Sequence, residues 1–355
     1  MRFPIPPLDE TARSAAAARQ AQLTKPAGAL GRLEDLSLQL AAAQGRARPA
    51  CERARVLIFA ADHGVSAQGV SAYPAAVTAQ MCANFCAGGG AANVLARQAG
   101  AEFELVDVGV AGTLAPHPLL VDAKLAPGSD DFTLGPAMSA ETCARALVVG
   151  AARARRAADD GVQVLVVGEM GIGNTTSAAA LMVAYLGCDV EDACGRGTGV
   201  DQAGLERKRT VVREGLARHR AALGDAEATL AALGGLEIAA MAGAMLQAAA
   251  LRLAVVVDGF ISSAAALAAL NLQPALKPYL FWSHVGAERG HRQLLDALDA
   301  EPLLALQLRL GEGTGGLLAL HLLRAAARTL DHMATFGEAQ VSTAAAPLLR
   351  SGLPS

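Results

Sequence analysis

The sequence predicts an α/β protein with a parallel, doubly wound sheet under helices on both faces and a small helical domain built from both termini. Three observations predict it. Short β-branched runs alternate with long Ala-rich helical stretches. The runs end in polar and glycine-rich residues. Both ends of the chain read as helix without strands. A βαβα order calls for parallel strands, because each crossover helix returns the chain to the same edge direction.

The runs are residues 56–61, 103–108, 162–167, 255–257, 279–282 and 306–310. Each is short, apolar and bounded by turn residues, as strands buried on both faces are. Helical stretches follow at 75–98, 140–158, 175–186, 201–223, 227–253, 262–270, 288–298 and 315–329. Residues 9–45 read as helix with a break near Pro26 and Gly28, and 331–349 as a closing helix. The expected division is 1–50 and 331–355 for the helical domain and 51–330 for the catalytic one.

Composition narrows the function. Of 355 residues, 53% are apolar, 18% charged and 3% aromatic, so Ala, Leu, Val and Gly do most of the packing. The net charge of −3 leaves no basic excess for nucleic acid or an anionic membrane. The most apolar stretch, 238–257, is interrupted by Gln247 and Arg252 and reads as a buried helix running into a strand. The first thirteen residues lack a basic-then-apolar leader, so a cytoplasmic protein is expected. The six cysteines include no CxxC pair and read as reduced, buried thiols. The seven histidines form no HxH or HExxH, so no metal is expected.

Ligands of open parallel sheets bind beyond the carboxyl ends of the strands. Here those ends carry Asp62-His63-Gly64, Asp107-Val108-Gly109, Gly168-Glu169-Met170-Gly171-Ile172-Gly173-Asn174, Asp258-Gly259, Ser283-His284 and Gly311-Glu312-Gly313-Thr314-Gly315. Six such ends imply one convergent site. Gly168 to Thr175 has the spacing of a phosphate loop, with Asn174 where a nucleotide triphosphatase has Lys. Backbone N–H groups of Gly171, Gly173 and Asn174, with the hydroxyls of Thr175 and Thr176, suit a monophosphate at a helix N-terminus. A plain tight turn fits the spacing equally. Glu169 and Glu312 each follow an apolar strand among glycines, where a partly desolvated carboxylate can accept a proton. Helix capping or a salt bridge is the alternative for each. Lys208 lies in the charged run 206–209, which also reads as a solvated helix face.

Taken together, the segments Ala61-Asp62-His63-Gly64-Val65, Gly69 to Met81, Gly168 to Thr176, Gly195 to Gly199 with Arg207-Lys208, Val257 to Ile261, Ser283-His284, Leu308 to Gly315 and Met333 to Phe336 resemble one family. It is the nicotinate-nucleotide–dimethylbenzimidazole phosphoribosyltransferase family of cobalamin lower-ligand assembly. The resemblance runs from about residue 25 to 339. It implies a Rossmann-like domain, a homodimer and base exchange with inversion at the ribose, between nicotinate mononucleotide and a benzimidazole. It implies that Glu312 is the general base and Glu169 a second carboxylate near the base pocket. Ser71, Tyr73, Pro74, Gln80 and Met170 match the benzimidazole pocket. The loop Gly171 to Thr176, Lys208, Asp258 and the turn Gly311, Gly313, Thr314, Gly315 match the region holding nucleotide and phosphate. One departure stands out: Gly286 occupies a position where the family usually has Ser. A pyridinium leaving group already carries its charge, so the chemistry needs neither a general acid nor a cofactor. A P-loop-like kinase or NTPase and a non-catalytic nucleotide or benzimidazole sensor are the competing readings.

Overall fold

The computed structural model describes residues 2–197 and 199–342. Six strands form one sheet: β1 (Ala54–Ala61), β2 (Glu102–Gly109), β3 (Leu120–Asp122), β4 (Val164–Met170), β5 (Ala254–Val257) and β6 (Leu280–Trp282). Their order is β3-β2-β1-β4-β5-β6, and all five pairings are parallel. Chain progression therefore reverses between β1 and β4, and a crevice opens at the carboxyl ends there.

Alternation along the strands sorts the core into two layers. Leu57, Phe59, Leu165, Val167 and Val255 face one way, with the helices Ala140–Asp159, Asn174–Leu186, Leu236–Ala250 and Phe260–Leu272. Val56, Ile58, Val164, Val166 and Val256 face the other, with the helices Arg32–Gln44, Val77–Cys86, Ala91–Ala99 and Thr314–His332. Both faces are buried, as crossover helices require. Small residues bring two of these helices together: a Cβ at Gly150 would collide with the Ala240 carbonyl, and one at Gly243 with that of Leu147. The low aromatic content thus goes with backbone-to-backbone packing.

Several expected elements change. The run 306–310 is not a strand. Gln307 has φ of +58°, which breaks extended backbone, and Leu306 and Leu310 are exposed. The chain nevertheless runs beside β6 and the loop after it: Leu303 N donates to Trp282 O at 3.0 Å, Val285 N to Leu304 O at 2.9 Å and Ala287 N to Leu308 O at 2.8 Å. The sixth strand is instead β3, three residues long and too short to show a period. The stretch 75–98 is two helices, divided at Gly88-Gly89-Gly90, and 227–253 is two, divided at Gly234-Gly235. Of the helix expected at 331–349, 343–349 lies outside the described residues. Before it, only the single turn Phe336–Ala339 is helical beyond His332.

The two chain ends meet. The Arg19 guanidinium donates to the carbonyls of Leu330, Asp331 and Met333 at 2.7–3.1 Å, and Leu23 pairs antiparallel with Thr335.

Candidate active site

Glu169 is the penultimate residue of β4 and is 5% exposed. Its Oε2 accepts a 2.5 Å bond from Asn174 Nδ2, at the start of the helix Asn174–Leu186. Burial pushes its pKa up to about 8; the Asn174 bond opposes this, and the charges of Glu237, Asp258 and Glu312 add to it. Gly311 lies against Glu169 Oε1 so closely that a Cβ there would displace it, and its φ of +81° is one that L side chains rarely adopt.

Glu312 follows directly, itself at φ +60° and 4% exposed. Its carboxylate accepts the Ala92 N–H, and its Oε2 has no hydrogen-bond partner among the described residues. Burial pushes this pKa up to about 7, the Ala92 N–H opposes, and Asp258 adds a like charge. Asp258, just past β5, fixes the turn: its Oδ2 accepts from Gly313 N and its Oδ1 from Gly316 N, both at 3.0 Å.

A cavity of about 650 Å³, counted to its open mouth, lies beyond the ends of β4 and β5. Of the expected residues, Glu169, Met170, Gly171, Asn174, Thr175 and Gly311 line it. His284 and Gly286, both noted in the sequence, line it too, as do Glu288, His291 and Arg309, which had not been singled out for this site. His291 is held neutral. Its Nδ1 accepts the Gly286 N–H at 2.9 Å, so its Nε2 carries the proton facing Ser263 Oγ at 3.0 Å. Burial, then the charges of His284 and Arg292, push its pKa down to about 3. Burial lowers His284 as well, against the pull of Asp258.

A family model described as phosphoribosyltransferase matches residues 5–341. A relative from Cupriavidus taiwanensis named nicotinate-nucleotide–dimethylbenzimidazole phosphoribosyltransferase is 54% identical over 348 residues, 97% of this chain and 99% of that one. One of the same name from Azotobacter vinelandii is 53% identical over 339 residues, 95% and 96% of the two chains. The crystal structure of CobT from Thermus thermophilus superimposes with a TM-score of 0.90 at 49% identity, covering 94% of this chain and 100% of that one. The chain belongs to the nicotinate-nucleotide–dimethylbenzimidazole phosphoribosyltransferase family.

The structure gathers the residues expected from that family unevenly. Lys208 turns inward, 1% exposed, and its Nζ donates to Thr175 Oγ1 at 2.6 Å. Burial lowers its pKa, and Glu288 opposes that. In the Gly171 loop some donors are already spent: Asn174 N bonds Gly171 O at 3.2 Å and Thr176 N bonds Gly173 O at 2.9 Å. Thr176 Oγ1 is buried without a partner among the described residues. Thr314 Oγ1 closes its own turn onto Gly311 O at 2.7 Å, and Gly315 packs against the His284 ring. Ser71, Tyr73, Pro74 and Gln80 do not line the cavity, and Tyr73 is 53% exposed. Their segment joins the site through Thr78, whose Oγ1 accepts the Ile172 N–H at 3.1 Å. Thr78 lay inside a quoted motif, but nothing in its spacing marked it. At Gly286 a Cβ would come 2.9 Å from His291 Nδ1 and 3.1 Å from Leu308 O, so the family's usual Ser does not fit this backbone unshifted.

Proposed function

We propose that the chain transfers ribose 5-phosphate from nicotinate mononucleotide to 5,6-dimethylbenzimidazole. Inversion at the anomeric carbon gives α-ribazole 5′-phosphate and nicotinate, for the nucleotide loop of cobalamin. The observation that carries this reading is Glu312: a buried carboxylate with a pKa of about 7 and an Oε2 with no partner among the described residues. Such a group accepts a proton near neutral pH. It takes the benzimidazole N–H proton, the other ring nitrogen attacks C1′, and the C1′–N bond to nicotinate breaks. The departing electron pair neutralises the pyridinium, so no acid is needed. Glu169, held by Asn174 on the cavity wall, is the second carboxylate beside the base. Lys208, Thr175 and the Gly171 loop take the 5′-phosphate.

The kinase reading is disfavoured because the Asn174 side chain, at the position of a triphosphatase Lys, is committed to Glu169. A homodimer, a cytoplasmic setting and the division into 1–50 with 331–355 beside 51–330 belong to the same proposal. No helix among the described residues is long and apolar enough to cross a membrane. The test is a product assay with nicotinate mononucleotide and a panel of benzimidazoles, purines and phenols. An α-N-glycoside of dimethylbenzimidazole with stoichiometric nicotinate is expected. Binding of both substrates without turnover would favour the sensor reading instead.

A further inference from the structure

We propose that Arg309 recognises the carboxylate of the pyridine ring, and so makes the enzyme select the acid over the amide form of the mononucleotide. This rests on the proposed function and adds a selectivity residue to it.

A nicotinate mononucleotide carries two anionic ends, the phosphate and the ring carboxylate, and each end calls for a cation. Lys208 is one, reached through Thr175 at the inner wall. Arg309 is the only Arg or Lys among the described residues that line the cavity. The two histidines there do not compete: His291 is held neutral, with a pKa near 3, and burial lowers that of His284. With the phosphate on Lys208, Arg309 is the cation on this cavity's own wall left for the carboxylate.

Its placement fits that ligand. Leu308 and Leu310 flank it and line the same cavity, with Ile172, Phe260 and Ile261 nearby in the wall. An aromatic ring meets apolar side chains here while a planar guanidinium waits beside them. Guanidinium and carboxylate match as a two-pronged pair, which a neutral amide cannot reproduce. The backbone holds the arginine at this spot from both sides. Ala287 N donates to Leu308 O at 2.8 Å, and Thr314 N to Gly311 O at 3.1 Å. Arg309 itself is exposed and makes no hydrogen bond or ion pair among the described residues, so its guanidinium is free to meet a ligand. Arg309 also borders a second pocket, lined by Arg196, Arg209, Arg289 and Glu288, in which Arg209 is paired with Glu206 and Arg289 with Asp192.

The experiment compares nicotinate and nicotinamide mononucleotides as donors to dimethylbenzimidazole, in wild type, Arg309→Gln and Arg309→Lys. It also titrates free nicotinic acid and nicotinamide into each protein. The ratio of kcat/KM for acid over amide should fall by about 10–100-fold in Arg309→Gln, the size of one charge-assisted pair, and by less in Arg309→Lys. Affinity for nicotinic acid should fall in parallel. An unchanged ratio overturns the proposal, and so does an equal loss for both donors, which would put Arg309 on the phosphate. If wild type turns over neither donor but binds nicotinic acid through Arg309, the transfer reading fails and this inference stands.

Discussion

Glu169 Oε2 and Asn174 Nδ2 lie 2.5 Å apart, joining the end of β4 to the first turn of the helix that follows it. The residue standing where a triphosphatase has Lys is thus spent orienting a carboxylate. The bond also opposes the burial that raises Glu169 to about 8. Asn174→Ala should therefore raise that pKa further. Any limb of the kcat/KM profile that follows Glu169 ionisation then shifts to higher pH. Profiles of wild type and variant between pH 6 and 10 check this, and a shift to lower pH would sink it.

Glu312→Gln keeps the shape of the turn and removes its basicity. We expect kcat to fall by about 10²-fold or more with modest change in substrate binding, as for loss of a positioned base. In wild type, activity should rise with pH through about 7 as Glu312 ionises. Near-normal turnover by the Gln variant would remove Glu312 from the role. Glu169→Gln, run alongside, shows how much of the basicity is shared.

The same two carboxyls make stability depend on pH. Unfolded, each titrates near 4.5; folded, they titrate at about 7 and about 8. Between those values the folded state holds the extra protons, so stability falls as pH rises from about 4.5 to about 8. The double variant Glu169→Gln with Glu312→Gln should lose less stability over that window than wild type. Denaturant melts at pH 5, 6.5 and 8 measure it. Equal slopes would mean that the carboxyls are not shifted.

Much of this site was legible because parallel strands announce their ends. Glu169 closes β4 and Asp258 follows β5, and the parallel sheet carries both ends to one crevice, whereas Glu312 reaches it from a turn that no strand precedes. Lys208 was ambiguous for a readable reason. Glu206 and Arg207 beside it are exposed, whereas Gly204, Leu205, Lys208, Val211 and Val212 are buried. That is a helical stripe, and a cation placed on it points inward. The run 306–310 misled because its leucines look like a strand but border a cavity, and Gln307 turns the chain. Thr78 gave no local signal, since the Ile172 N–H it accepts is distant in sequence, and His291 is fixed as much by distant Ser263 as by nearby Gly286.

Metal independence follows from the chemistry. The leaving group is a pyridinium, with no pyrophosphate to neutralise. Activity should survive dialysis against a strong chelator. A requirement for added Mg²⁺ or Zn²⁺ in the transfer assay would count against the mechanism.

Gly311→Ala tests the contact with Glu169. The backbone φ of +81° costs an alanine about 1 kcal/mol, and the methyl would also displace Glu169 Oε1. Gly187→Ala is the control, since φ there is +66° with nothing within 4 Å. Both variants should lose stability, and Gly311→Ala alone should lose activity. Equal kinetics in the two would separate Gly311 from the chemistry.

Lys208 is the most direct test of where the phosphate lies. The residue is buried, donates to Thr175 Oγ1 at 2.6 Å, and sits close enough to Gly197 that a Cβ there would come 3.3 Å from its Nζ. An ammonium this enclosed keeps its proton more readily once an anion arrives, and burial already lowers its pKa. Lys208→Ala should weaken mononucleotide binding by about 1.5–3 kcal/mol, the usual size of a charge-assisted hydrogen bond. Benzimidazole binding should barely change, because that ring is neutral and binds at the carboxylate end. The measurement is a pair of titrations on wild type and variant, one with the mononucleotide and one with its dephosphorylated riboside. A variant that loses as much affinity for the riboside as for the mononucleotide shows that Lys208 is not the phosphate's partner. The helix start at Asn174 would then have to hold the phosphate without it, although Asn174 N and Thr176 N are already engaged.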